Sequence, residues 1–225
     1  MCSLIVFFAT MRNTNALSIP PSNPQVAANH NLPTRRSFLH TATTTAASFA
    51  LIATPKSSVA STSTASPIRF GDEDIMSPKA HGTTQTPVQE SLKFGVSNKL
   101  ADKICCYNRH FAENSFSFTK STWEDELRQA VADNGGKPMT FYDSVTGKPL
   151  FMAPIGRSVD ALIDESYKHG WPSFRDAEVV WDNVRVLKNS GETVSVDGTH
   201  LGHNLPDRMG NRYCINLCCI AGYPV

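Results

Sequence analysis

Near the C-terminus stand His200-Leu201-Gly202-His203, then Asp207, then Arg212-Tyr213-Cys214-Ile215-Asn216. Two imidazoles, a carboxylate, a guanidinium, a thiol and an amide thus fall within a stretch that one hairpin can close. A cysteine thiol is inert while its thiolate is nucleophilic, and a neighbouring Arg or charged His favours the thiolate. Imidazole titrates near neutral pH and can hand a proton to a leaving oxygen. Upstream, Gly170-Trp171-Pro172-Ser173-Phe174 offers an aromatic wall for an apolar group. The chemistry this suggests is attack by sulfur on a small polar centre carried by an apolar side chain.

The histidine spacing, i and i+3 around a glycine, predicts a loop or tight turn. Such a pair can also bind a metal, with Cys214 as a third ligand. What favours acid–base work is the company of Asp207, Arg212 and Asn216. In a strand, positions 212, 214 and 216 face one side. Arg212, Cys214 and Asn216 then form a polar row that a hydrophobic core does not explain.

Two helices and several strands must position these groups. Ser121-Thr122-Trp123-Glu124 reads as a capping box, followed by an apolar stripe of Trp123, Leu127, Ala130 and Val131 and a stop at Asn134-Gly135-Gly136. A second helix from Ser158 places Val159, Leu162, Ile163 and Tyr167 on one face and stops at Gly170. Strand signals cover Met139 to Val145, Pro149 to Met152, Glu178 to Lys188, Glu192 to Val196 and Arg212 to Ile220. The expected class is mainly β (α+β), antiparallel sheets with a few short helices.

These motifs resemble the type B methionine sulfoxide reductases. The resemblance runs from about Phe141 to Ile220 and includes Gly147-Lys148-Pro149-Leu150-Phe151. It implies a β-tent-like pair of antiparallel sheets and thiol-dependent reduction of methionine-R-sulfoxide in proteins and peptides, a repair of oxidative damage. In that scheme Cys214 attacks the sulfoxide sulfur and His203, with His200 through water, protonates the departing oxygen. Arg212 stabilises the thiolate, Asp207 orients the network, and Asn216 donates a hydrogen bond. Trp171 and Phe174 hold the substrate. The Cys214 sulfenic acid then needs a second thiol. No cofactor is implied beyond an external thiol reductant such as thioredoxin or glutaredoxin.

The chain departs from that family in three places. The first of two zinc-binding Cys-x-x-Cys pairs would fall around Tyr142 to Val145, where there is no cysteine, so no zinc of that kind is expected. His169 stands where a resolving cysteine often precedes the Gly-Trp. The histidine block continues Asn204-Leu205-Pro206 instead of Val-Phe. Cys105 or Cys106 is the candidate resolving thiol, the alternative being two buried small apolar residues. Cys218, about 13 Å from Cys214 along a regular strand, is too far to pair with it. Competing readings are a non-catalytic metal-binding module and a thiol redox sensor on the same fold.

Charge divides the chain. From Met1 to Gly71 there is no Asp or Glu against five Lys/Arg, leaving sixteen Lys/Arg against twenty Asp/Glu, about −4, beyond it. The body lacks the basic, aromatic-interleaved surface of a nucleic-acid binder. Residues 1–60 read as a bipartite targeting leader. Its composition suits a transit peptide, and Thr34-Arg35-Arg36-Ser37-Phe38-Leu39 is a twin-arginine signal. Serial targeting of that kind resembles a plastid precursor bound for the thylakoid lumen, with a mitochondrial presequence as the alternative. Its apolar runs are too short for stable membrane insertion. Residues 61–91 read as a flexible linker and 92–225 as the folded, reductase-like domain.

Overall fold

The structure is a computed structural model that describes residues 68–225 apart from Asn108 and Phe111. The leader, its twin-arginine signal and the start of the expected linker lie outside the described residues.

The fold is mainly β with three short α-helices among the described residues. In chain order the elements are β1 (Phe70–Gly71), α1 (Asn98–Asp102), α2 (Trp123–Asp133), β2 (Met139–Tyr142), β3 (Pro149–Ala153), α3 (Val159–His169), β4 (Ser173–Phe174), β5 (Val184–Leu187), β6 (Glu192–Ser195), β7 (His200–Asn204) and β8 (Tyr213–Ile215). One sheet has the order β1-β5-β6-β7-β8-β4, and β2 and β3 form a second. All pairings are antiparallel except β1 with β5. Among the described residues no helix is long and apolar enough to cross a membrane.

A stack of aromatic rings joins the two sheets. Phe174 of β4 stacks on Phe151 of β3 at 4.4 Å and meets Phe141 of β2 edge-on at 5.2 Å. All three are fully buried, each contributing roughly 1.5–3 kcal/mol. Phe174 therefore belongs to the core. In a two-residue strand successive side chains point to opposite faces, so Phe174 enters the aromatic core while Ser173, also buried, points toward Cys214, and Phe174 is not the substrate-holding residue expected.

Both predicted helices form. Trp123 and Leu127 carry the buried stripe of α2. Its start is one residue later than the capping box suggested: Thr122 is the N-cap, its hydroxyl bonds Glu126, and the Trp123 amide donates to Ser121 Oγ at 3.2 Å. In α3, Ser158 caps the Ala161 amide, and Leu162, Ile163 and Ser166 are buried. Gly170 ends it at φ +83°, where a Cβ would lie 2.0 Å from Ser115 Oγ. That left-handed backbone favours glycine.

Two expectations need correction. Residues 68–91 are not a free linker: Phe70 and Gly71 pair with Val186 and Leu187, Met76 is buried, and the Thr83 amide donates to the Cys106 carbonyl at 2.8 Å. Those partners lie far along the chain, so local composition carries no trace of them. The last strand is also shorter than expected. It stops at Ile215, and Leu217–Cys219 form a 3-10 turn, which invalidates the strand-based spacing between Cys214 and Cys218. Similarly β5 keeps only the end of the predicted Glu178–Lys188 run, because Asp176–Glu178 form another 3-10 turn.

At the turn where the resemblance would put a zinc-binding cysteine pair, a buried carboxylate does the holding. Asp143 accepts from the Val145 amide at 2.8 Å and from the Thr146 and Thr199 hydroxyls at 3.0 Å.

Candidate functional site

β7 and β8 build the site between them. Cys214 is paired across the sheet with Ser173 on one side and His203 on the other. The histidines lie in strand β7, not in the loop their spacing suggested. Residues at i and i+3 of a regular strand face opposite sides. Here the pairing jumps from Thr193↔Gly202 to Val194↔His200, so Leu201 is an extra residue. That bulge returns both imidazoles to one face, with ring centroids 5.8 Å apart. Gly202 sits where a Cβ would lie 2.0 Å from the Cys214 carbonyl oxygen. No side chain fits there, which explains the glycine between the histidines.

A cavity of about 240 Å³ opens on this face, lined by Trp171, His200, His203, Leu205, Cys214 and Asn216, together with His110, Ala112 and Gly202. Arg212, itself 8% exposed, donates from Nη1 to Cys214 Sγ. Ser173 Oγ lies 3.9 Å from the same sulfur. The Trp171 ring is fixed by its Nε1 donating to the Glu113 carbonyl at 3.1 Å. Asn216 accepts from the Glu113 amide at 2.9 Å and donates to the Leu201 carbonyl at 3.1 Å. Its amide thus braces the wall of the cavity and is already committed on both atoms.

Asp207 sits outside the cavity. It accepts both terminal nitrogens of Arg175 at 3.0 and 2.8 Å, and Arg212 Nε lies 3.3 Å from its Oδ2. The Arg175 guanidinium, with help from the Met209 amide and Arg212, holds Asp207 well below the usual carboxylate range. Its effect on the thiol therefore passes through Arg212. His169, in the position expected for a resolving cysteine, lies with Glu165 and Asp207, their ligand atoms within 4.8 Å of one another.

The acid–base side is built by residues that sequence reasoning missed. His200 Nδ1 lies 2.8 Å from Glu192 Oε1, and Arg109 donates to the same carboxylate at 2.6 and 2.9 Å. Glu192 is 3% exposed. Burial alone would raise its pKa, but the bonds from His200 and Arg109 outweigh that and leave it lowered. This carboxylate orients His200. His203 has its pKa pushed below 6.5 by burial first and the neighbouring His200 second. The clue to Glu192 was its place directly across from His203, visible only once the register is known.

The expected resolving thiols are not in the cavity. Cys105 and Cys106 are 0% and 1% exposed. Cys105 packs with Cys218 and Cys219, while Cys106 lies with His81 and Asp102. Being consecutive on one turn of chain, they point into the core on different sides. Nor do His200, His203 and Cys214 converge as a ligand set would: among the described residues, the groups whose ligand atoms lie within 4.8 Å of one another are elsewhere.

No protein-family model, curated protein or solved structure matches this chain. What the site can do follows from its own chemistry.

A larger cleft of about 600 Å³ lies beside α3, lined by Arg157, Glu165, Lys168, Arg175, Asp176 and Met209 among others. No cysteine or histidine lines it, and Arg157 and Arg175 are paired to Glu165, Glu178 and Asp207. The smaller cavity is the better candidate because sulfur, imidazole and indole meet there.

Proposed function

We propose that this chain is a thiol-dependent methionine-R-sulfoxide reductase acting on oxidised proteins or peptides. The observation that carries the reading is one small cavity lined by Cys214, His200, His203 and Trp171, with the Arg212 guanidinium bonded to the Cys214 sulfur. Preference for the R epimer comes from the motif resemblance, not from the cavity.

In the forward step the Cys214 thiolate attacks the sulfoxide sulfur. Arg212 stabilises the thiolate until its electron pair is committed. The sulfoxide oxygen gains a proton from His203, or from His200 through water, as the S–O bond weakens. The sulfur–sulfur bond made by the attack then breaks as the protonated oxygen passes from the substrate sulfur to Cys214, leaving a sulfenic acid there and releasing the substrate as the thioether. Trp171 and Leu205 supply the apolar wall for the S-methyl end. One thiol then condenses with the sulfenic acid, releasing water and leaving a mixed disulfide, and a second thiol frees Cys214. Since Cys105 and Cys106 are buried away from the cavity, those thiols come from an external reductant of the thioredoxin or glutaredoxin class. A plastid location rests on the leader alone.

The test is an epimer-resolved assay with the purified chain, dithiothreitol and a methionine sulfoxide peptide. The R form should be consumed and the S form left. Equal loss of both epimers, or of neither, would remove the assignment.

A further inference from the structure

Behind the cavity, three sulfur atoms come together from two distant segments. Cys105 lies on the π-turn that follows α1 (Lys103–Tyr107), and Cys218 and Cys219 lie on the 3-10 turn that follows β8. All three are 0% exposed and none is in a disulfide. Their sulfurs lie within 4.8 Å of one another, and those of Cys218 and Cys219 are 3.9 Å apart. Cysteines packed only as small apolar residues would account for the burial but not for what accompanies them. Glu113 is 6% exposed and lies at the Cys218 edge of this cluster. Its Oε2 accepts from the Cys218 amide at 3.2 Å. A carboxyl is costly to bury, and buried ones pair or bind metals.

We propose that Cys105, Cys218 and Cys219 bind one thiophilic d10 metal ion, with the neighbouring Glu113 carboxylate turning in from the Cys218 amide to complete the set, zinc being the ion these donors fit. Tetrahedral zinc at about 2.3 Å from each sulfur needs sulfurs roughly 3.8 Å apart. Cys218 and Cys219 already stand at that spacing, and Cys105 has at most about an ångström to close. Three sulfurs and one hard oxygen suit zinc better than copper(I), which favours soft donors alone. The ion enters as the dication and thiol protons leave to solvent, so no oxidant or reductant is required. The cysteine pairs missing at the Asp143 turn do not bear on this set, which uses other residues.

The site is independent of the reductase reading but would support it. Glu113 joins it to the cavity, since its amide donates to Asn216 and its carbonyl accepts from Trp171. Metal binding would therefore stiffen the wall against which the substrate lies.

The experiment uses the full chain, purified under reducing, oxygen-free conditions. Elemental analysis should find about one zinc per chain. Cobalt(II) put in its place should show the sulfur-to-metal charge-transfer absorption of a thiolate-rich tetrahedral site. Cys105→Ser should weaken zinc binding at least tenfold in competition with a chromophoric chelator, while Cys106→Ser keeps it. If Cys105→Ser does not fold, X-ray absorption on the wild-type zinc protein decides: a shell of three sulfurs at about 2.3 Å supports the site. A shell of nitrogen and oxygen alone, no retained or added metal, a Cys218–Cys219 disulfide in its place, or loss of metal in His81→Ala, would each overturn it.

Discussion

Cys214 and Cys218 are four residues apart and face opposite chemical worlds. Cys214 is half-buried on the open face of β8, with a guanidinium on its sulfur and two imidazoles across the cavity. Cys218 is fully buried within the 3-10 turn that follows the strand, beside other sulfurs and Glu113. The same side chain opens onto a cavity in one place and is sealed in the core in the other. What separates them is Asn216, whose carbonyl accepts the Cys219 amide at 3.1 Å and starts the 3-10 turn. A cysteine's role follows from the face it occupies and the charges there, not from its type.

The largest effect should come from the open-face sulfur. Cys214→Ser is expected to abolish sulfoxide reduction while leaving the melting temperature nearly unchanged, since the hydroxyl is a far weaker nucleophile in a site of the same shape. Steady-state turnover and thermal melting on one preparation check it. Residual turnover near wild type would mean that another thiol does the chemistry and would dissolve the contrast.

His203→Ala should slow turnover by about 10² to 10⁴, the usual worth of a positioned proton donor. It should leave Cys214 open to alkylation. The pH dependence sharpens this. Burial and His200 hold His203 below its ordinary pKa, so its proton-donating form becomes scarce as pH rises through that lowered value. The single-turnover rate should fall in the range below pH 6.5 in the wild type as His203 loses its proton. The alanine variant should lack this fall. A wild-type rate that climbs steadily over the same range would place the proton elsewhere.

The smallest catalytic effect is expected from the core side. Phe174→Leu keeps an apolar side chain but loses the ring stacked on Phe151, so it should cost part of the roughly 3–5 kcal/mol of a full truncation. KM for the sulfoxide peptide should not change, because Phe174 does not line the cavity. A raised KM at unchanged stability would return Phe174 to the substrate.

Much of the site was legible in the sequence because its residues are close along the chain. Cys214, His200, His203, Trp171 and Asn216 line one cavity, and Arg212 reaches the sulfur. The helices were legible through their apolar stripes and their glycine stops. What could not be read was set by pairing between distant strands. The one-residue bulge in β7 decides that both histidines face the same way, and no local signal predicts it. Glu192 meets His200, and Arg109 meets Glu192, only after β6, β7 and the segment around Arg109 are assembled. Phe174 and Ser173 are neighbours with opposite directions, a matter of which face the sheet buries. Phe70 and Gly71 pair with partners more than a hundred positions away, so a Ser/Thr/Pro-rich composition misleads.

The central claim is that the open-face sulfur takes oxygen from a sulfoxide while the buried sulfurs do not. Fully reduced chain, freed of reductant, should be mixed with excess methionine-R-sulfoxide peptide, quenched with dimedone and mapped by peptide mass spectrometry. The account predicts about one methionine product per chain and the dimedone adduct on Cys214 alone. Methionine formed with the adduct or a new disulfide confined to Cys105, Cys218 or Cys219, or no methionine formed by a protein whose Cys214 remains alkylatable, would contradict it.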